Sequence, residues 1–277
     1  MAEGPTVLRW SRTLQGMAGR PFVRVDLPKK YEARAKALVG ESLREAEPRG
    51  KNLLLHLSTG DTLRCHAMMY GTWRFGEPGM KTDKPDRAIR LRLRTKRAEA
   101  IFYNGPVVEL IPAGGLATHP VLSKLGPDLL SASFDRDEAW RRLRRDPRRE
   151  VADALLDQEN VAGIGNIYKS EALFLAGLDP RRPMKNVRRA EVERVFDAII
   201  GPMLRGAETG RLEVRPGALR AAGKTWVYGR RGRPCFRCGS KIERILQGRP
   251  TGLQRSTYYC PTCQPARRLR QEKIGLS

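Results

Sequence analysis

Apolar residues recur at Val7, Trp10, Leu14 and Met17, spacings of three, four and three, which predicts an amphipathic helix over about residues 5–17 ending near Gly16 and Gly19. Pro5 falls in its first turn, where a missing N–H is harmless. The pattern then changes to alternation at Leu53/Leu55/Leu57, Leu63/Cys65/Ala67 and Ile89/Leu91/Leu93, the last interleaved with Arg90, Arg92 and Arg94. Turn-forming runs at Ser58-Thr59-Gly60-Asp61 and Gly76-Glu77-Pro78-Gly79 separate these stretches. They are read as antiparallel strands, with a further strand from Val107 to Ile111.

After Pro112-Ala113-Gly114-Gly115 the periodicity becomes helical, over about 135–146, 150–160, 167–176 and 188–205. Between the second and third of these, Val161-Ala162-Gly163-Ile164-Gly165-Asn166 has room only for a tight turn, and Asn166 is placed to cap the helix that follows. From about 225 onward Gly, Arg, Pro and Cys dominate, a composition that cannot hold together by apolar burial alone. The expectation is an α+β multidomain chain: a β-sandwich with an attached helix over 1–115, a helical domain over 132–222 and a small third unit over 225–266.

Charge sharpens this picture. Lys and Arg number 53 against 30 Asp and Glu, a formal +23, which suits a polyanionic partner, nucleic acid first among them. Apolar stretches are short, such as Leu53-Leu54-Leu55, and the start of the chain lacks the layout of a secretory signal, so no membrane partner and an intracellular, nucleoid-associated monomer are expected.

Four of the five cysteines form two knuckles, Cys235-x2-Cys238 and Cys260-x2-Cys263, 21 residues apart, the arrangement of a tetrahedral structural Zn2+ site, with iron–sulfur as the lesser option. Four sulfur ligands leave no open coordination position, so one such metal would organise structure and perform no chemistry. Cys65, alone in an apolar context, is read as a small buried hydrophobe. Within the cysteine loop Arg249 and Arg255 lie on a Gly/Ser/Thr-rich hairpin suited to phosphate contact. Gly163-Ile164-Gly165-Asn166-Ile167-Tyr168 sets glycine N–H groups beside a helix N-terminus, which serves equally as a phosphate site or as a structural turn.

Five segments in this order resemble the formamidopyrimidine-DNA glycosylase/endonuclease VIII family: Met1-Ala2-Glu3-Gly4-Pro5, Arg49-Gly50-Lys51-Asn52-Leu53-Leu54, His66 to Arg74, the Gly-Ile-Gly-Asn-Ile-Tyr turn, and Arg255 to Gln264. The resemblance spans nearly the whole chain. It implies a β-sandwich domain, a helix–two-turn–helix domain and a zinc finger, with double-stranded DNA carrying an oxidised base or abasic site as partner. It also implies Lys51 as the catalytic lysine, Asn166 as the phosphate-binding asparagine of the turn beside Gly165, and Arg255 as the phosphate-gripping arginine.

On that resemblance the α-amine of Ala2, freed by removal of Met1, is the nucleophile, with Glu3 moving protons at the sugar and Lys51 and Arg255 neutralising phosphates. Ala2 departs from the proline usual in the family. Its primary amine gives a neutral imine that must be protonated before it can act as an electron sink. Thr6 stands where many relatives carry glutamate, and no role is assigned to it. Met68, Met69 and Tyr70 occupy the place of the endonuclease VIII-type residues that fill the void left by an extruded base. Tyr70-Gly71-Thr72-Trp73-Arg74 resembles that branch, so oxidised pyrimidines are the expected substrates. Tyr228-Gly229-Arg230-Arg231-Gly232 resembles the other branch, keeping an 8-oxoguanine/formamidopyrimidine substrate as the alternative. A DNA-binding relative without lyase activity is the second.

Overall fold

The computed structural model describes residues 2–82, 84–217, 223–248 and 254–266, so Arg249 lies outside the described residues. These form two compact units. One comprises the chain to Ala139 with Gln158–Gly165 and Met203–Leu212; the other comprises Trp140–Asp157, Asn166–Pro202 and the chain from Glu213 onward.

The first unit opens with α1 (Gly4–Gln15), whose Val7 and Leu14 are buried as the spacing predicts. Two four-stranded antiparallel sheets follow. One orders β1 (Phe22–Asp26), β6 (Ile89–Thr95), β7 (Glu99–Tyr103) and β5 (Thr72–Gly76) as β1-β6-β7-β5. The other orders β2 (Leu43–Arg49), β3 (Asn52–Leu57), β4 (Thr62–His66) and β8 (Val107–Ile111) as β2-β3-β4-β8. Both sheets feed one core: Leu53, Leu55, Leu63 and Cys65 from the second join Val25, Leu91, Leu93 and Phe102 from the first, with Val7 and Leu14 of α1. This is a β-sandwich with a helix attached.

The alternation expected for β3 is incomplete, because the strand is buried on both faces. Leu54 points away from the sandwich core into a second cluster with Ile111 and Leu122, which explains the uninterrupted Leu53-Leu54-Leu55. On β6 the interleaved arginines are not simply solvated: Arg92 is buried against Asp26 (3.0 Å) and Glu99 (3.2 Å), and Arg94 reaches the same Glu99 at 3.0 Å. A short helix, α2 (Glu32–Ala37), and four strands, β1, β2, β5 and β7, were not legible in the apolar pattern. Pro48 sits in β2, an edge strand, where a missing N–H removes no ladder bond. Burial pushes the Cys65 thiol pKa well up, in keeping with a packing role.

The helices α3 (Arg136–Leu143), α4 (Val151–Leu156), α5 (Asn166–Leu175) and α6 (Arg189–Thr209) match the four expected segments, α4 being shorter than the pattern suggested. The second unit ends in an antiparallel hairpin, β9 (Glu243–Gln247) and β10 (Arg255–Tyr259). No helix among the described residues is long and apolar enough to cross a membrane.

Candidate active site and metal centre

In the first unit the start of α1 is fastened to the glycine turn. The Gly4 N–H donates to the Gly163 carbonyl (2.9 Å), and a Cβ on Gly4 would meet that oxygen at 2.9 Å. Gly163 itself has φ +93, and its N–H donates to Gln158 Oε1 (3.1 Å), whose amide returns to the Ile164 carbonyl (3.0 Å). Glu3, extended at the head of α1, makes no side-chain cap to its own helix and is only 3% exposed. Its carboxyl lies flat against Gly165: a Cβ there would fall 2.2 Å from Glu3 Cδ and 2.4 Å from Oε1. Ala2, half-buried, packs on the edge of the sandwich core.

Lys51 lies in the β2–β3 turn, half-buried. Its neighbour Gly50 adopts φ +61, a conformation that favours glycine, and the Gly50 N–H donates to Asp128 Oδ2 at 2.6 Å. Asp128 also accepts from Leu130 N–H, and its burial raises its pKa despite both donors. Gly163 packs against the same carboxylate. One half-buried aspartate thus braces both the lysine turn and the glycine turn that holds Glu3. Sequence reasoning missed Asp128, whose signal was a Gly126-Pro127-Asp128 turn between apolar stretches.

Next to Lys51, Asn52 of β3 pairs with His66 of β4. Burial, with the nearby charges of Arg64 and Lys51, pushes the His66 pKa down to about 4, and its Nδ1 accepts the Met68 N–H at 3.2 Å. His66 is therefore neutral at pH 7. Because the unfolded side chain titrates near 6.5, stability holds above that pH and falls as pH drops from about 6.5 to about 4, by up to about 3 kcal/mol. Urea unfolding at stepped pH should show this loss in the wild type and a shallower one in His66→Gln; parallel profiles would remove His66 as its source.

Beyond His66 the chain turns through Met68, at φ +48, and closes with the Gly71 N–H on the Ala67 carbonyl (2.8 Å). A Cβ on Gly71 would come within 2.6 Å of Ala67 Cα, so the turn needs glycine. Met68, Met69 and Tyr70 are 54%, 44% and 78% exposed, three large apolar side chains held out in solvent.

In the second unit Asn166 is the first residue of α5. Its Nδ2 donates to the Ser256 carbonyl (2.8 Å) and its Oδ1 accepts from Lys169 Nζ (2.8 Å), which also donates to Thr257 Oγ1 (2.7 Å). Asn166 is thereby brought to β10 beside Arg255, itself half-buried. Glu171, fully buried on α5, accepts the N–H groups of Trp226 (2.6 Å), Val227 (2.9 Å) and Tyr228 (2.8 Å), while burial raises its pKa. Lys169 and Glu171 escaped sequence reading because a helical i, i+2 pair of opposite charge gives no periodic signal.

The Sγ atoms of Cys235, Cys238, Cys260 and Cys263 all lie within 4.8 Å of one another. Cys235 and Cys263 are 3.9 Å apart and Cys238 and Cys260 3.4 Å. A tetrahedron of thiolates at zinc–sulfur distances requires roughly 3.8 Å between sulfurs. The cluster therefore fits one metal ion. Gln264 steadies it, accepting from Cys260 N–H (3.0 Å) and donating to the Leu178 carbonyl (2.9 Å).

Comparison with known proteins places these features in a family. Residues 1–106 match the model of the formamidopyrimidine-DNA glycosylase N-terminal domain, and residues 125–216 that of the formamidopyrimidine-DNA glycosylase H2TH domain. The chain is 37% identical over 266 residues to a probable endonuclease 8 2 of Streptomyces coelicolor, covering 95% of this chain and 94% of the relative. It is 33% identical over 276 residues to an endonuclease 8 of Escherichia coli, covering 95% and 100%. The Lactococcus lactis Fpg in complex with abasic-site DNA superposes with a TM-score of 0.80 at 25% identity, over 96% of this chain and 100% of that one. With two family models across most of its length and relatives above 30% identity along nearly all of it, the chain belongs to the formamidopyrimidine-DNA glycosylase/endonuclease VIII family.

Proposed function

We propose that this chain is a bifunctional DNA glycosylase/AP lyase of base excision repair, acting as a monomer, that removes oxidised pyrimidines through a Schiff base on its N-terminal amine. The observation that carries this reading is Glu3: a carboxyl buried beside Ala2 and pressed onto the glycine turn, with no helix-capping task to explain it. We assign 1–115 to the catalytic β-sandwich, 132–222 to the helix–two-turn–helix and 225–266 to the zinc finger, with one structural Zn2+ on Cys235, Cys238, Cys260 and Cys263.

In the proposed reaction the free Ala2 amine attacks the deoxyribose C1′. The N–C1′ bond forms as the glycosidic bond breaks, and the base leaves with its electron pair and a proton. Glu3 gives its proton to O4′ as the sugar opens, which leaves the imine of the primary amine protonated; the Glu3 carboxylate so formed then takes the C2′ proton, and the 3′ phosphate leaves with its electron pair. Lys51 and Arg255 each offset charge on a phosphate. Asn166 and Gly165 contact the DNA backbone, and Met68, Met69 and Tyr70 fill the space of the extruded nucleotide, whose unstacking costs a few kcal/mol. The segment that resembles the purine-directed branch is structurally engaged: Tyr228 donates its N–H to Glu171 and buried Arg230 donates to the Trp226 and Pro234 carbonyls. It gives no support to a purine substrate.

Mass spectrometry of the mature protein should find Ala2 as a free amino terminus, and borohydride should trap a covalent complex with abasic DNA. Binding without trapping would leave a non-catalytic DNA-binding protein. Duplexes carrying thymine glycol should be cleaved in preference to 8-oxoguanine; the reverse order transfers the chain to the other substrate class. Arg255→Ala should weaken binding evenly across sequences and lower the salt slope by about one unit, and an unchanged slope removes Arg255 from the phosphate set.

A further inference from the structure

At the open end of the first sheet lies a groove of about 370 Å³ bounded by Arg20, Pro21, Val23, Thr95, Lys96 and Arg97. Its floor is apolar for a structural reason. The pairing of β1 with β6 slips between Phe22 and Arg24, so Val23 leaves the regular alternation and stands 43% exposed while Phe22 and Val25 are buried. The opposite wall is the β6–β7 turn, fixed by Thr95 Oγ1, which accepts the N–H groups of Arg97 (3.2 Å) and Ala98 (3.0 Å). That turn directs Lys96 and Arg97 outward, both exposed.

The charges around the groove differ from those of three arginines on the neighbouring strands. Arg24, Arg92 and Arg94 are each neutralised by Asp26 or Glu99. Arg20, Lys96 and Arg97 have no ion pair among the described residues. Three uncommitted cations thus ring an apolar slot large enough for a bulky side chain.

Strand register places the groove away from the Met68–Tyr70 turn. Thr72, which follows that turn, pairs with Tyr103, and Tyr103 pairs with Ile89; the groove sits where Gly76 and Arg94 pair with Glu99 and Phe22 pairs with Thr95. The length of β6 separates the two ends, on the order of 20 Å. A duplex backbone presents phosphate but no apolar side chain to fill a slot, whereas an acidic peptide with an apolar anchor presents both.

We propose that this groove docks an acidic peptide segment of a partner protein, its carboxylates on Arg20, Lys96 and Arg97 and one apolar side chain against Val23 and Pro21. The probe is a fluorescent Asp-Asp-Phe-Asp-Asp peptide, titrated by anisotropy against the full chain to about 1 mM, the weak end of specific docking. Saturable binding is expected. It should fall about tenfold or more for the charge-reversed variant R20E/K96E/R97E, and also for Val23→Glu and for the peptide with alanine replacing phenylalanine. Lesion-free duplex DNA should bind the Val23→Glu variant as it binds the wild type and should not displace the peptide.

No saturation, or equal binding by the alanine peptide, would overturn the proposal. Displacement of the peptide by duplex DNA, with DNA affinity lowered in R20E/K96E/R97E and in Val23→Glu, would make the groove part of the nucleic-acid surface and overturn it equally.

Discussion

Gly165→Ala is expected to lower base release by about a hundredfold or more, as much as Glu3→Gln, with the fold in place. The substitution adds one methyl group, and backbone strain is not its mechanism. The methyl carbon would fall 2.2 Å from Glu3 Cδ, 2.4 Å from Oε1 and 2.5 Å from Cγ, so the carboxyl has to leave its place. Gly4, next to Glu3, is tied down on the same turn by its N–H bond to the Gly163 carbonyl. Single-turnover release of thymine glycol measures the effect. If Gly165 acts only by seating Glu3, the double variant Glu3→Gln/Gly165→Ala should be no slower than the worse single variant. Additive losses would show that Gly165 contributes independently and that the packing of Glu3 is not what the glycine protects.

That pair also shows where sequence reading stops. Each residue was legible by itself, Glu3 from the opening motif and Gly165 from the glycine turn. Their contact was not, because it joins positions 162 residues apart and no local period records it. The same holds for Asp128, which ties Gly50 and packs on Gly163 from a turn of its own. Among the elements that were legible, α1 and strands β4 and β6 set polar against apolar positions, while β3 and α5, buried on nearly every side, were read from the spacing of their apolar residues alone. Those that were missed are either buried throughout, as β7, or edge strands rich in charge, as β2, and in both the alternation that betrays a strand is absent. The cysteine cluster was fully legible, since metal geometry dictates the spacing of its ligands.

Removing the metal proposed for that cluster should release the hairpin of the second unit and abolish its part in DNA binding. Without the ion, little remains to hold it: the cluster of Phe174, Val227, Cys235, Ile242 and Cys260 is small, and two of its five members are metal ligands. An isolated two-stranded hairpin such as β9–β10 is marginal in water, whereas a structural zinc site contributes about 10–16 kcal/mol. The loss would spread to α5. Asn166 would give up the Ser256 carbonyl and the buried Lys169 would give up Thr257, so the amide and ammonium groups now fixed against β10 would turn to solvent. Chelation should therefore release one equivalent of zinc and raise amide exchange over 225–248 and 254–266. It should also reduce the salt slope of DNA binding by more than the one unit expected for Arg255→Ala, because the whole hairpin departs with the arginine. Cys260→Ser, at a buried position, should reproduce this more completely than Cys238→Ser at an exposed one. Unchanged exchange after complete chelation would show that the finger stands on its apolar contacts and on Glu171, which holds Trp226, Val227 and Tyr228 by three N–H bonds, and that the four thiols are not what folds it.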